Sequence, residues 1–396
     1  KTSAIFEFYS VYLACTPKEQ VENFETFSSW AQTLLYDFNE IDRYLIDYKP
    51  FFDYLSNIQE INHWYLQEER TPLMENYLSF WRKLPEYYEQ LKRELERRNM
   101  AYQGMVYRVA SEKVEDYMRN HQDPHIFIGF NALNEAEQRI LQKMLERENT
   151  EVFWDIDEVF FQDTQHDASL FLREYARTWP YYRDKAFPVV DVFEGEKQID
   201  MVGVPKNIGQ AKYVGEILAA MDPEEIRQTA VVLGDEGMLL PILNSLPPNV
   251  QEVNVTMGFP LPSASVSFLF DQLFKMQSQP RKDLYYKDLL EITNHPLIQK
   301  LTRGYSLRIS EKIQQDNLVY LKVPDFLESI PDYHQDLFEN LLQSWNGNPI
   351  LGLKRLQKLL FLFKEKLNRE DDKLTLEFLY QYHLLFNKLS DLLQEY

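Results

Sequence analysis

The run Thr229–Glu236, Thr-Ala-Val-Val-Leu-Gly-Asp-Glu, has the residue types that come closest to a catalytic pattern. An apolar run that ends in an acid pair is typical of the Mg²⁺-binding strand of P-loop ATPases, which also need the phosphate-binding segment Gly-x-x-x-x-Gly-Lys-Ser/Thr. That segment occurs nowhere in the 396 residues. Asp235 and Glu236 are therefore interpreted as acids that cap the next helix, because the helix dipole favours negative charge at its amino end.

Two further groups of acids match metal-binding patterns. Some metal-dependent nucleases need an Asp followed later in the chain by Asp/Glu-x-Lys. Asp37 with Asp47-Tyr48-Lys49 fits the whole pattern, and Asp371-Asp372-Lys373 fits only the Asp/Glu-x-Lys part. The first set lies in a helical stretch, whereas that nuclease site is built on strands around a bend. In Trp154-Asp155-Ile156-Asp157, strand alternation points both carboxylates to one side. Asp155 and Asp157 are therefore the better candidates for a metal at a strand end.

Histidine and cysteine offer less. His121 and His125 are four residues apart, but Pro124 opposes a helix that would place them on one face, and His295-Pro296 indicates a turn. The single cysteine, Cys15, excludes an internal disulfide and cysteine-based metal clusters and fits a reducing compartment. Serine-nucleophile and dinucleotide-binding motifs are absent, so the residues alone predict no catalytic set, metal or cofactor.

The composition indicates long helices with large side chains in the core. Glycine accounts for only 12 residues, whereas Phe, Trp and Tyr together number 57. The formal net charge of −20 excludes a general basic coat for nucleic acid, though not a local basic channel. No apolar run reaches the ~18 residues of a membrane span. Because the chain starts without Met and enters an apolar helical pattern at once, we expect an internal piece of a longer, cytoplasmic protein.

The spacing of apolar residues predicts helices at both ends of the chain. Within residues 1–120, the side chains Phe27, Trp30, Ala31, Leu34 and Leu35 recur as one helix face does. From residue 266 onward, two apolar stripes separated by the polar segment Asn368–Lys373 predict a closing helical hairpin. The first stripe consists of Leu353, Leu356, Leu359, Leu360, Phe363 and Leu367, and the second of Phe378, Leu379, Tyr382, Leu385, Phe386 and Leu389.

The middle of the chain predicts an α/β fold, because short apolar runs alternate there with amphipathic segments. The candidate strands are His125–Phe130, Val152–Asp157, Lys197–Pro205, Thr229–Glu236 and Gln251–Gly258. Such alternation implies crossover connections and a mostly parallel sheet with helices on both faces. Asn134 followed by Glu137 has the spacing of an N-cap with its reciprocal acid, which starts a helix just after the first strand.

Five segments in order resemble a known family. They are Phe24–Asp47 (FETFSSWAQTLLYDFNEIDRYLID), Ala101–Val109 (AYQGMVYRV), Ile126–Glu137 (IFIGFNALNEAE), Val253–Leu261 (VNVTMGFPL) and Tyr285–Pro296 (YYKDLLEITNHP). The chain is similar, up to roughly residue 300, to a large Bacteroidetes protein that couples an AddB/RecC-like superfamily I helicase remnant to a C-terminal PD-(D/E)XK nuclease. The resemblance implies RecA-like, P-loop-type parallel-sheet lobes with large helical insertions.

The resemblance also implies an order of domains. Residues 1–120 would be a helical insertion of the first lobe and 121–190 the remainder of that lobe. Residues 191–265 would begin the second lobe and 266–396 would be its helical insertion. In an active helicase, a strand of the first lobe ends in an acid pair, and a strand of the second lobe ends in an Arg that contacts ATP. At the first position this chain has Ile126–Phe130, without an acid, and at the second it has Val231–Asp235, which ends in an acid. Both departures resemble helicase subunits that have lost ATPase activity.

The function implied is a catalytically inactive, helicase-like scaffold of a DNA repair or recombination nuclease, which guides DNA, preferably single-stranded. Its partners would be the C-terminal nuclease domain of the same full-length protein and a motor helicase subunit. The implied DNA contacts are Gln210, Thr256 and Phe259, with core packing as an equal alternative for Phe259. A protein-interaction scaffold without nucleic-acid contact is the second hypothesis, favoured by the charge of −20. An enzyme built on Asp155 and Asp157 is the third.

Overall fold

Helices dominate the chain, as the low glycine content predicts. The computed structural model describes residues 2–64, 72–256, 258, 261–278, 283–367 and 372–395. It is 66% helical and 4% strand, with two sheets of two strands each. The backbone divides into two compact units, Lys1–Ile199 and Asp200–Tyr396.

The first unit begins with six consecutive helices, so the prediction of helices over residues 1–120 is confirmed for the described residues. Its helices are α1 (Thr2–Cys15), α2 (Phe24–Arg43), α3 (Tyr48–Trp64), α4 (Pro72–Arg97), α5 (Gln103–Glu112), α6 (Val114–Asn120), α7 (Glu135–Met144), α8 (Glu158–Gln162) and α9 (Leu170–Thr178). The predicted face of α2 is buried at Phe27, Ala31 and Leu34. Aromatic rings fill much of this core, for example Phe8 against Phe27 with centroids 5.2 Å apart.

A buried carboxylate ties three of these helices together. Asp42, near the end of α2, accepts hydrogen bonds of 2.5 Å from the hydroxyls of Tyr88 on α4 and Tyr102 before α5, and from Nε of Arg108 on α5. Arg108 Nη2 also donates to the carbonyl oxygens of Ile41 and Ile46, each at 2.8 Å. Burial, followed by the neighbouring charge of Asp42, raises the pKa of both tyrosines. Both therefore stay protonated and donate to Asp42.

Residues 125–153 form the strand–helix–strand unit that the pattern predicts. Strand β1 (His125–Ile128) pairs in parallel with β2 (Thr150–Phe153), and α7 makes the crossover. The predicted capping box is confirmed: Asn134 Oδ1 accepts from the Glu137 amide, and Glu137 Oε2 accepts from the Asn134 amide, both at 3.0 Å. Local capping chemistry therefore starts α7 at the residue that the sequence indicates.

Asn134→Ala is expected to lower the free energy of unfolding by about 1 kcal/mol, because the Glu137 amide loses its acceptor. Urea denaturation followed by far-UV circular dichroism measures the change. Asn57→Ala is the matched control, since Asn57 is an exposed residue of α3 for which alanine is the better helix former. Equal unfolding free energies for the wild type and Asn134→Ala would contradict the capping role.

The second unit is built from helices with two short strands. Its helices are α10 (Asn207–Ala220), α11 (Pro223–Arg227), α12 (Leu239–Leu243), α13 (Ser265–Ser278), α14 (Tyr286–Thr293), α15 (Pro296–Leu301), α16 (Tyr305–Gln315), α17 (Val323–Glu328), α18 (Asp332–Leu342), α19 (Pro349–Lys366) and α20 (Lys373–Glu395). Strands β3 (Leu284–Tyr285) and β4 (Tyr320–Leu321) pair antiparallel. The predicted closing hairpin is observed, since α19 packs against α20.

The prediction of RecA-like parallel-sheet lobes is wrong. Lys197–Pro205, Thr229–Glu236 and Gln251–Gly258 contain no strand within the described residues. Their apolar side chains are not buried as in a parallel sheet: Met201 is 94% exposed and Val232 is 89% exposed. Between these segments, α10 and α12 bury a small core of Ala211, Met238 and Ile242 against each other. Short apolar runs resemble buried strands, but without buried neighbours they gain no sheet stabilisation.

Candidate nucleic-acid interface

The DNA contacts implied by the family resemblance lie on different local structures. Gln210 is exposed in the first turn of α10, and Thr256 is exposed at the end of a segment without regular secondary structure. Before that segment, Asn249 Nδ2 donates to Leu218 O at 3.0 Å, at the opposite end of α10, about 12 Å along the axis from Gln210. No described contact joins Gln210 to Thr256. Phe259 lies outside the described residues, and its stacking on a base stays a prediction.

The acid pair after Val231 caps a helical turn, as interpreted from the sequence. Asp235 Oδ1 accepts from the Gly237 amide at 2.8 Å and thereby starts a 3₁₀ turn over Glu236–Met238. Leu239 continues this turn into α12. The Asp235 carboxylate therefore accepts a hydrogen bond from the backbone of the segment that follows it.

The second acid pair does not form a joint metal site. Strand β2 ends at Phe153, so the alternation that would align Asp155 with Asp157 stops before either residue. Asp155 is exposed, whereas Asp157 is buried and accepts the amides of Val159, Val192 and Phe193 at 3.1, 2.8 and 2.8 Å. The Val192 amide is the largest cause of the lowered pKa of Asp157. The carboxylate therefore anchors the loop that follows Val190.

The nuclease-like patterns are also engaged in local structure. Asp37 lies within α2, where burial, followed by Glu40, raises the pKa of its carboxyl group. Asp47 accepts from the Lys49 amide at 3.3 Å. Asp372 pairs with Lys300 at 2.6 Å, and Asp371 lies outside the described residues. In the described part of the chain, no group of three or more His, Cys, Asp or Glu side chains could hold a metal ion.

The strongest local departure from the acidic charge of the chain is helix α19. Its sequence has five cationic residues and one acid, a net charge of +4, whereas the whole chain has −20. The cations are Lys354, Arg355, Lys358, Lys364 and Lys366. The four lysines are exposed, and only Lys358 has an ion-pair partner among the described residues, Asp336 on α18 at 2.5 Å. This helix is therefore a local source of positive potential that attracts phosphate.

Local sequence fixes which face of α19 carries these cations. Asn348 caps the helix by accepting the amides of Ile350 and Leu351, and Pro349 occupies the first helical position. The predicted apolar stripe is buried at Leu353, Leu356, Leu359, Leu360 and Phe363. Burial of this stripe leaves Lys354 and Lys358 on the opposite side of the helix and Lys364 and Lys366 at the edges of the stripe, all four exposed to solvent.

One aromatic side chain stands among the cations of α19. Phe361 is 53% exposed, and its ring meets the His383 ring of α20 edge-on with centroids 5.8 Å apart. Asn387 Nδ2 donates to His383 Nε2 at 3.0 Å, and Gln357 Nε2 donates to Asn387 Oδ1 at 2.9 Å. These contacts hold the His383 ring and with it the edge of Phe361. We call Lys354, Gln357, Phe361, Lys364, His383 and Asn387 the α19–α20 seam.

The seam has the two features that sequence-tolerant binding of single-stranded nucleic acid needs. Cationic side chains can neutralise phosphates, and an exposed, fixed aromatic face can stack on an unpaired base. Sequence reasoning missed this surface because the charge was summed over the whole chain. Counting charge within the helix Pro349–Lys366 would have found it.

Comparisons with known proteins give no relative for this chain. No family model, curated protein or solved structure matches it. Of the described helices, none is long and apolar enough to cross a membrane.

Proposed function

We propose that the chain is a non-catalytic scaffold that guides a single DNA strand in a DNA repair or recombination nuclease. The observation that carries the proposal is the exposed ring of Phe361 on α19, a helix whose net charge is +4. In the same proposal, the resemblance to the Bacteroidetes family supplies the C-terminal nuclease domain as the receiver of the strand and a motor helicase subunit as a further partner. The proposal does not require RecA-like lobes, because the seam lies on two helices.

The charge distribution limits the kind of binding that we expect. The overall −20 repels phosphate, so association should be weak and strongly dependent on salt. Stacking on Phe361 needs an unpaired base, so single strands should bind better than duplex. Lys358 is partly neutralised by Asp336. Lys354 and Lys364 are therefore the better phosphate contacts.

Removing the seam's contacts should weaken DNA binding. Phe361→Ala is expected to reduce affinity for a labelled single strand by about 1–3 kcal/mol, the value of one stacked base. Lys354→Gln with Lys364→Gln should lower the slope of log K against log salt by about 1.4, since each phosphate contact to a single strand contributes about 0.7. Fluorescence anisotropy over a range of salt concentrations measures both quantities.

The controls use residues of the same type away from the seam. Tyr54→Ala removes an exposed aromatic ring on α3, and Lys312→Gln with Lys322→Gln removes two exposed lysines outside α19. Both control variants should bind as the wild type does. No binding by the wild type at low salt would refute the proposed function. Wild-type binding that the seam variants and the controls reduce equally would refute the seam as its site.

A protein-interaction scaffold is the second candidate function, and a groove along α20 favours it. The segment Gln251–Thr256 has no regular secondary structure and makes no backbone hydrogen bond to other described residues, and Val253 and Val255 are exposed. Val255, Leu261 and Leu385 are among the apolar side chains that line the groove, of about 690 Å³. Unpaired backbone beside apolar side chains can pair with an extended segment of a partner. Capture of a partner protein by the wild type in a pull-down assay, together with no binding of DNA, would favour this function.

A further inference from the structure

A shallow cavity of about 440 Å³, widely open to solvent, lies between the beginning of α13 and the end of α14. Ser265, Phe268, Glu291, Asn294 and His295 contribute to its lining. It is separate in the chain from the lysines of α19 and from the groove lined by Val255. Serine, histidine and glutamate together invite the hypothesis of a nucleophilic triad, which the hydrogen bonds test directly.

The hydrogen bonds of His295 exclude a nucleophilic role for Ser265. His295 Nδ1 accepts from the Leu297 amide at 3.2 Å, so the ring proton is on Nε2, which donates to Ser265 O at 2.9 Å. A protonated Nε2 cannot remove a proton from Ser265 Oγ, which lies 3.3 Å away. Burial lowers the pKa of His295, so the ring stays neutral. His295 is therefore a structural cap of α15.

Glu291 has an unused acceptor at this cavity. Its Oε2 atom is buried and has no hydrogen-bond partner. A buried carboxylate oxygen without a donor is unfavourable, and buried polar atoms without partners are few in folded proteins. Solvent does not reach Oε2 itself, but Glu291 lines the cavity, so a donor that enters the cavity can bind the other carboxylate oxygen, Oε1, which has no hydrogen bond to the described residues either. The carboxylate selects a cationic donor over a neutral one.

Phe268 adds a second feature that selects a cation. Its ring lies parallel to the His295 ring, with an interplanar angle of 8° and centroids 6.5 Å apart. The side chain is 50% exposed, so part of the ring remains open to a ligand. The negative face of an aromatic ring attracts cations, and planar guanidinium groups stack on it especially well.

Three helix ends lie around the cavity, and one of them adds to this charge preference. Leu290, Glu291 and Asn294 lie at the carboxyl end of α14, where the helix dipole is negative. The opposing amino end of α15 is already capped by His295 through the Leu297 amide. The amino end of α13, at Ser265, also lines the cavity and is positive, so the helix ends largely offset one another and the preference for a cation comes from the Glu291 carboxylate and the Phe268 ring.

We propose that this cavity binds the guanidinium group of an arginine side chain on a partner protein, between the Glu291 carboxylate and the Phe268 ring. The planar group donates hydrogen bonds to Glu291 and stacks on Phe268. The site is independent of the proposed DNA-guiding function, because Glu291 repels phosphate. It gives the acidic chain a specific contact with a basic partner.

Titration of the full chain with acetylarginine amide at low salt, followed by NMR chemical shifts, tests the site. We expect saturable binding, and the neutral isostere acetylcitrulline amide should bind at least about tenfold more weakly because it has no charge for Glu291. Glu291→Gln should weaken acetylarginine amide binding by about tenfold. Phe268→Leu should weaken it by about threefold through loss of the ring face.

Glu311→Gln is the matched control, since Glu311 is an exposed acid of α16 in the same unit. It should bind acetylarginine amide as the wild type does. Circular dichroism melting of each variant shows whether a loss of binding reflects unfolding, and Glu291→Gln keeps the shape of the side chain. The proposal is overturned by an absence of saturable binding, by equal binding of acetylcitrulline amide, or by wild-type affinity in folded Glu291→Gln.

Discussion

Asp42→Ala is expected to lower the free energy of unfolding of the unit Lys1–Ile199 by about 3–5 kcal/mol, as when one partner of a buried ion pair is removed. Asp42 has no solvent exposure and accepts from Tyr88, Tyr102 and Arg108. Alanine would leave the guanidinium of Arg108 without its carboxylate and two hydroxyls without their acceptor. Each buried donor left unsatisfied costs about 1–3 kcal/mol.

Urea denaturation followed by tryptophan fluorescence measures this loss selectively. Five of the six tryptophans lie in the first unit, and only Trp345 lies in the second. Asp53→Ala, which changes an exposed acid on α3, is the control and should alter the free energy of unfolding by less than about 0.5 kcal/mol.

A second variant separates the lost charge pair from the lost volume. Asp42→Asn keeps an oxygen acceptor for the tyrosines but removes the charge that faces Arg108, so its loss should lie between those of Asp53→Ala and Asp42→Ala. Arg108→Leu combined with Asp42→Ala removes the buried ion pair and should recover part of the stability, because of the described cations only Lys92, which is 22% exposed and lies 3.8 Å from Asp42 Oδ1, then loses its partner. An Asp42→Ala protein as stable as the wild type would show that this cluster does not hold the helices together.

Local patterns predicted the elements that local chemistry determines. The stripe from Leu353 to Phe363 is the buried face of α19, and Asn134 with Glu137 caps α7. Helix periodicity repeats over many residues, so a stripe of five or six side chains specifies one face. A capping box depends on atoms only three residues apart. These features need little information from the rest of the fold.

The parallel sheet could not be derived in the same way. Ile126–Ile128 and Val152–Phe153 pair, but the equally apolar Val231–Leu233 does not. A strand is stabilised by neighbours distant in sequence, and its own composition does not say whether they exist. The family resemblance supplied those neighbours as an expectation, and the exposure of Val232 contradicts it.

The candidate site was predictable only in part, for reasons of scale. Gln210 and Thr256 came from the resemblance and are exposed, but no described contact brings them together. The charge of α19 is visible in the sequence, yet a sum over 396 residues conceals +4 beneath −20. Contacts such as Asn387 with His383 require the final packing of α19 on α20. The net charge of one helix can therefore be counted from the sequence, whereas the arrangement of side chains around Phe361 cannot.

Gly104→Ala is expected to destabilise the first unit by about 2–3 kcal/mol, the upper part of the range for overpacking. A Cβ atom at this position would lie 2.1 Å from the backbone oxygen of Asn39 and 2.9 Å from its carbonyl carbon. The contact is with backbone, so no side chain can rotate away. Gly104 is in the first turn of α5, and its amide donates to Asn39 Oδ1 at 2.7 Å. Separation of α5 from α2 would stretch this bond.

Helix propensity opposes this effect, and the magnitudes decide the sign. Alanine is favoured over glycine in a helix by about 1 kcal/mol, which is less than the overpacking cost at Gly104. Gly203→Ala is the control, because a Cβ there meets nothing within 4 Å, and alanine should change stability by at most about 1 kcal/mol in the stabilising direction. Tryptophan fluorescence in urea should therefore show a lower midpoint for Gly104→Ala. Far-UV circular dichroism, which follows both units, should show an unchanged or higher midpoint for Gly203→Ala, which lies in the second unit. A Gly104→Ala protein at least as stable as the wild type would mean that α2 and α5 are not in the close contact on which the Asp42 cluster also depends.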